Sequence, residues 1–226
     1  SMMLFTMRME LLKKLKPTDK QKITETNEIL NIELIEVNKF NKIPNPKVMI
    51  LDIEKGNYHH SKINGIYFAS NSNVYYFSRN HFNDEDFISF MKDESKGKVT
   101  YDFKALKVAL HKEGIEINGL EFDLFLAAYL LNPSLNNDPI SIYGYLGVNL
   151  LLKDNLSLFE ENYLNKMAYH LERLYPIVLN DLDKINMKKL LLEMEQPLCN
   201  VLSDMEIEGF PLNEDVLNKI NDEYTT

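Results

Sequence analysis

The sequence predicts an α/β fold of the α+β kind, a mixed sheet flanked by helices. Three observations carry that expectation. Residues 48–54, VMILDIE, form an apolar run of strand length that ends on acidic residues. Residues 63–70 and 74–78 read as two strands paired through the polar loop 70–73. Residues 101–134 then run from a short apolar strand into helical spacing and on to a long apolar stretch.

Composition sets the bounds. A chain of 226 residues that is 45% apolar can bury a full core. It carries 25 basic and 34 acidic residues, a net charge of −9. That balance argues against a broad electrostatic grip on nucleic acid, because phosphate binding needs clustered Lys and Arg. Cys199 is the only cysteine, so no internal disulfide can form and a reducing cytoplasm is the expected compartment. No signal peptide and no apolar run of about eighteen residues occurs, so no membrane partner is expected.

The elements follow in order. Residues 2–15 have amphipathic helical spacing, with Leu4, Phe5, Met7, Leu11, Leu12 and Leu15 apolar. Lys13, Lys14 and Lys16 complement the dipole at its end, and Pro17 stops it. Residues 29–37 alternate as a first strand or its lead-in. After Pro44 and Pro46 comes the central strand 48–54, then a turn over 55–62 holding His59 and His60. Residues 84–91 form a helix with Asn83 as its N-cap. Residues 98–101 are the next strand. Asp102 caps a helix carrying Leu106, Val108, Ala109 and Leu110, which Gly114 stops. Ile115 and Ile117 alternate as a short strand. Residues 122–131 form a buried helix that includes Leu126, and Asn132-Pro133 closes it.

Residues 139–148 make a short helix. Residues 158–182 make a long one with Pro176 as a break or kink. Residues 187–208 make a second, with Pro197 inside and Gly209 as C-cap. Asn213 starts a last helix over 214–224. Three antiparallel strands, a helix, a strand and then helices match the ribonuclease-H-like order.

The wording is also specific. Residues 104–134, KALKVALHKEGIEINGLEFDLFLAAYLLNPS, resemble the middle of the 3′-5′ exonuclease domain of bacterial DNA polymerase I. Residues 190–213, LLLEMEQPLCNVLSDMEIEGFPLN, resemble the seam where that domain runs into the polymerase domain. The resemblance implies three regions. Residues 1–28 are a linker or helix following a 5′ nuclease domain. Residues 29–188 are the 3′-5′ exonuclease-like domain. Residues 189–226 are the start of a polymerase domain, cut short.

Exonucleases of this type hold two divalent metals with four carboxylates, one metal generating hydroxide and both stabilising the displaced phosphate. The resemblance places the first two carboxylates on Asp52 and Glu54. It places the other two positions on Leu106 and Lys166, which cannot coordinate a metal. An ammonium at Lys166 repels cations and can pair with Asp52 or Glu54. The resemblance is therefore to the subgroup with a degenerate site, and no metal or other cofactor is expected in this fragment; Mg²⁺ belongs to the polymerase domain of the parent. A strand ending on two acids is more often a solvated exit than a metal site.

Rival readings stay open. A working exonuclease could recruit Asp102 or Asp123 as a third carboxylate. A stand-alone interaction protein could reuse the fold. His81 and Asp86 have a related spacing but fall in the wrong place. His59 and His60 lack a third ligand at zinc spacing, and His111 and His170 read as helix-surface residues. Tyr67, Phe68, Tyr75, Tyr76 and Phe77 could stack bases, although alternation favours core packing. The expected partners are a polymerase domain in cis, DNA through that domain, and a neighbouring copy through 194–224, where the apolar stripe Leu190, Leu191, Met194, Leu198, Val201, Leu202 and Met205 seeks cover.

Overall fold

The computed structural model describes residues 32–54, 61–151 and 163–209. The expected helices over 2–15 and 214–224, and the pair His59 and His60, lie outside the described residues. Six strands form one sheet: β1 (Leu34–Val37), β2 (Val48–Ile53), β3 (Ile63–Ser70), β4 (Asn73–Ser78), β5 (Lys98–Thr100) and β6 (Leu120–Asp123). Their spatial order is β1-β4-β3-β2-β5-β6. Strands β2, β3 and β4 are antiparallel, while β1, β5 and β6 pair parallel to their neighbours. The sheet is therefore mixed, with β2 near its middle.

Helices cover both faces. Helices α1 (Glu85–Lys92) and α2 (Phe103–Lys112) pack on one face against Met49, Ile66, Phe68 and Phe77. Helices α3 (Leu124–Leu131), α4 (Pro139–Tyr145) and α5 (Leu164–Lys184) pack on the other against Val48, Ile50, Tyr67 and Val99. Strand alternation explains the division: in β2, Val48 and Ile50 point one way and Met49 the other.

Several expectations shift by a few residues, each for a local reason. Asp84 caps α1, not Asn83; its carboxylate accepts from the N–H of Asp86 and of Phe87. Ile115 and Ile117 are buried but form no strand; the strand is β6, after Gly119. Gly119 sits at φ +79°, and a Cβ there would lie 2.7 Å from the carbonyl oxygens of Glu94 and Lys96. The apolar run at 122–131 is split, because Phe122 and Asp123 complete β6 and Asp123 caps α3. Leu126 is half-buried, whereas Leu124 and Leu130 are inside.

Pro176 does not break α5, which runs from Leu164 to Lys184. Burial of Met167, Leu171, Leu174, Val178 and Leu182 along one face offsets the lost hydrogen bond. Its Glu172 carboxylate accepts from the N–H of Asn71 at 2.9 Å and of Ser72 at 3.1 Å, tying the β3–β4 turn to the helix. Both turn residues have positive φ, 52° and 65°, as a two-residue hairpin requires.

The helix expected over 187–208 is interrupted. A short turn, Lys188–Leu190, passes into a π-helical turn, Leu191–Glu195, and then into α6 (Gln196–Ile207). Pro197 explains the irregularity: it lacks an N–H, and its ring crowds the carbonyl four residues back, which the wider turn relieves. Gly209 closes α6 at φ +69°.

Candidate functional site

Asp52 lies at the end of β2 on the face shared by Val48 and Ile50, and it is half-buried. Its Oδ2 accepts from the Tyr76 hydroxyl at 3.1 Å, and its Oδ1 from Asn64 Nδ2 at 3.2 Å. Gly65 makes this possible. It pairs with Asp52 in the β2–β3 register, and a Cβ there would lie 2.7 Å from the Tyr76 ring. Absence of a side chain lets that ring lie across β3 and reach the carboxylate. Burial and then the Asp52 charge raise the Tyr76 pKa. Glu54 follows the strand and is exposed.

Leu106 is elsewhere. It has no exposure and packs with Phe103, Ala109 and Leu110 in the core layer on the opposite face. Lys166 is half-buried in the first turn of α5, on the Asp52 side of the sheet. It and Arg173 add to burial in holding His170 down to about 4. His170 is thus half-buried rather than a surface residue, while His111 is exposed as expected. Of the aromatic residues of β3 and β4, Tyr67, Phe68, Tyr75 and Phe77 are buried in the core and Tyr76 is half-buried.

The four residues named from the resemblance, Asp52, Glu54, Leu106 and Lys166, do not come together as a set of carboxylates. One carboxylate is bridged by a tyrosine and an asparagine, one is exposed, and the other two positions hold a core leucine and a lysine. Among the described residues, no group of three His, Cys, Asp or Glu side chains is placed to hold a metal ion. His81 and Asp86 line an open polar cavity of about 660 Å³ at the start of α1, together with Asn38, Asn41 and Asp84.

Asp123, which is buried, and Asp102, which is half-buried, form a separate pair. Asp102 caps α2, accepting from Ala105 N–H at 3.0 Å. Asp123 accepts from Phe103 N–H at 2.8 Å and Leu126 N–H at 3.1 Å. Burial and the Asp102 charge push Asp123 up to about 8, against those donors. Beside them, the Gln196 carboxamide bonds twice to the edge strand β6, accepting from Asp123 N–H and donating to the Glu121 carbonyl, both at 3.1 Å. Lys107 Nζ reaches Asn200 Oδ1 and Asp204 Oδ1, each at 2.6 Å. Lys104 meets Glu206 at 3.1 Å. Gly65, Lys107 and Gln196 went unremarked in sequence, and Tyr76 and Asp123 were read there in other roles, as a base-stacking candidate and as a rival third carboxylate. An Asp directly ahead of LFLAAYLL is an N-cap signal that points to Asp123; the others are long-range.

Comparison with known proteins agrees with this architecture. Residues 49–152 match the family model described as DNA polymerase I, ribonuclease H-like domain. DNA polymerase I of Geobacillus stearothermophilus is 29% identical over 194 residues, covering 78% of this chain and 22% of the relative. That of Bacillus subtilis (strain 168) is 24% identical over 211 residues, covering 87% and 24%. That of Lactococcus lactis subsp. cremoris (strain MG1363) is 32% identical over 182 residues, covering 74% and 20%. The chain thus spans about a fifth to a quarter of the curated relatives it matches.

Among solved structures, Brucella melitensis NrnC bound to pGG superposes with TM-score 0.64 at 15% identity, over 80% of this chain and 97% of that one. The POL domain of Pol1 from M. smegmatis, in complex with DNA primer-template and dNTP, gives 0.57 at 21% identity, over 78% and 31%. These likenesses concern the fold. Among the described residues no helix is long and apolar enough to cross a membrane. Over residues 49–152 the chain is therefore similar to the ribonuclease H-like, 3′-5′ exonuclease-like domain of bacterial DNA polymerase I.

Proposed function

We propose that this domain has lost 3′-5′ exonuclease chemistry and serves as a structural platform for a polymerase domain in cis, in DNA replication and repair. The observation that carries the reading is at Leu106. The position that resemblance gives to a metal-binding carboxylate is a core leucine with no exposure, on the opposite face from Asp52. Tyr76 and Asn64 satisfy Asp52 with neutral donors, as they would a structural carboxylate.

The platform role is supported by α6. Met194, Leu198, Val201, Leu202 and Met205 are all exposed along one stripe. A polymerase domain packed there gives those residues cover. DNA is then reached through that domain, whose Mg²⁺ is its own, in the cytoplasm. The boundaries proposed with this reading are 1–28 for a linker or helix, 29–188 for the platform and 189–226 for the start of the polymerase domain.

The test is degradation of an end-labelled single-stranded oligonucleotide with Mg²⁺ or Mn²⁺. Wild type and Asp52→Ala should be indistinguishable and at background. Degradation by wild type that vanishes in Asp52→Ala would establish the rival, an active metal-dependent proofreading exonuclease.

A further inference from the structure

Helix α6 is amphipathic in the inverse sense. Its inward residues are Gln196, Cys199 and Ser203, with Asn200, Asp204 and Glu206 at the margin. Its outward stripe is Leu198, Val201, Leu202 and Met205, each at least 40% exposed. The contacts that hold it to α2 and β6 are hydrogen bonds and ion pairs: Gln196 on the β6 edge, Lys107 between Asn200 and Asp204, and Lys104 on Glu206. Cys199 is the one apolar side chain of α6 that is buried.

The segment before it differs. Met187 and Leu191 are buried in the core layer under α5, with Leu191 at no exposure. Between this apolar anchor and the polar-docked helix stands the π-helical turn ahead of Pro197, where the regular backbone ladder is already broken. Water can replace the polar contacts of α6 at small net cost. It offers no comparable substitute for the contacts of Leu191.

We infer that α6 is a detachable strap: it undocks from α2 and β6 about the Leu191–Glu195 turn while the two-layer core stays folded. The inference does not depend on the platform reading and concerns this chain alone. Docking holds the outward apolar stripe in one orientation; undocking frees a partner on that stripe to move relative to the sheet.

Cys199 supplies the readout. When α6 is docked, its thiol is buried, and burial with the charges of Asp123 and Asp102 pushes it up to about 12, so it is unreactive. Undocking exposes it. The intact chain is treated with an aromatic disulfide reagent, and global unfolding in urea is measured alongside. Cys199 should label at least about tenfold faster than global unfolding allows, with little dependence on urea at low concentration. Raising NaCl from about 0.05 M to about 1 M should speed labelling several-fold, because the Lys107–Asp204 and Lys104–Glu206 pairs are screened. Lys107→Met should speed it further.

A control chain combines Cys199→Ser with Ala127→Cys, whose thiol lies in the core under α3. That thiol should label only at the global unfolding rate. Labelling of Cys199 that tracks global unfolding with the full urea dependence, or that ignores both salt and Lys107→Met, would overturn the inference. If Ala127→Cys does not fold, exchange of the Asp123 amide decides. It loses its Gln196 acceptor on undocking and should exchange faster in high salt; an unchanged rate counts against undocking.

Discussion

Asp123 holds two helices with one carboxylate, taking the N–H of Phe103 at the start of α2 and of Leu126 at the start of α3. Its pKa stands near 8, above the ordinary value of 3.8, because it is buried next to Asp102. On raising the pH, the unfolded chain therefore loses this proton before the folded chain does. The stability tied to the protonated group is full below about pH 4 and drains away as pH climbs to about 8, at up to about 1.4 kcal/mol per pH unit. In Asp123→Asn that part of the slope should vanish. Absolute stability at pH 5 should fall, because Nδ2 cannot accept from Phe103 N–H. Urea titrations at pH 5, 6, 7 and 8 check both; an unchanged slope would mean that Asp123 is ionised throughout. His170 works in the opposite sense. Held down to about 4, it costs stability as pH falls from its ordinary 6.5.

Also at the residue scale, burial ranks the leucines of α3. Leu130 is 1% exposed and packs in the core layer under α5. Leu130→Ala should cost about 2–5 kcal/mol through the cavity it leaves. Leu126 is half-buried, so Leu126→Ala should cost clearly less than Leu130→Ala. Chemical denaturation of the two variants checks the order. Equal costs would mean that α3 is rotated about its axis from the position given.

At the scale of elements, α6 and the sheet depend on one another unequally. The core layers contain no residue of α6, whereas Leu191 belongs to one of them. Removing everything after Glu195 should leave β1–β6 and α1–α5 folded. The cut uncovers Asp123 N–H and Lys107 Nζ, so a loss of about 1–3 kcal/mol is expected. A cooperative urea transition with native near-ultraviolet circular dichroism is the expected result. A truncated chain without that transition would assign α6 to this domain and move its boundary beyond residue 209.

Across the whole molecule, the sheet order and the two core layers decide which acids can meet. Strand β2 lies between β3 and β5, with Asp52 on the α5 side and Leu106 on the α2 side. Placing a carboxylate at residue 106 would bury it among Phe103, Ala109 and Leu110. Leu106→Asp should therefore destabilise the domain by several kcal/mol, in the range of about 3–5 for an uncompensated buried charge, and should not confer Mg²⁺-dependent nuclease activity. Thermal unfolding and the oligonucleotide assay read the two outcomes. A stable, metal-dependent nuclease would show that the residue faces the Asp52 side after all.

The sequence by itself determined the elements whose signals are local. The β3–β4 hairpin, the Asp102 cap, the Gly114 and Gly209 stops and the central strand are all readable there, because alternation, capping and positive φ act over a few residues. The mixed sheet between helices followed from their order. Tertiary structure alone decided the rest. Phe122 and Asp123 look like the start of a helix until β5 offers them a partner, since pairing, not propensity, makes an edge strand. Apolar spacing over 187–208 suggested a helix whose leucine stripe packs partly on this domain and partly on a partner. The docked side is instead polar, because Lys104, Lys107 and the open β6 edge lie opposite it, and those partners are 73 to 102 residues away in the chain. Likewise Asp52 reads as one half of a metal-binding pair, yet its neighbours are set by Gly65 and Tyr76, which only the register of three strands brings to it.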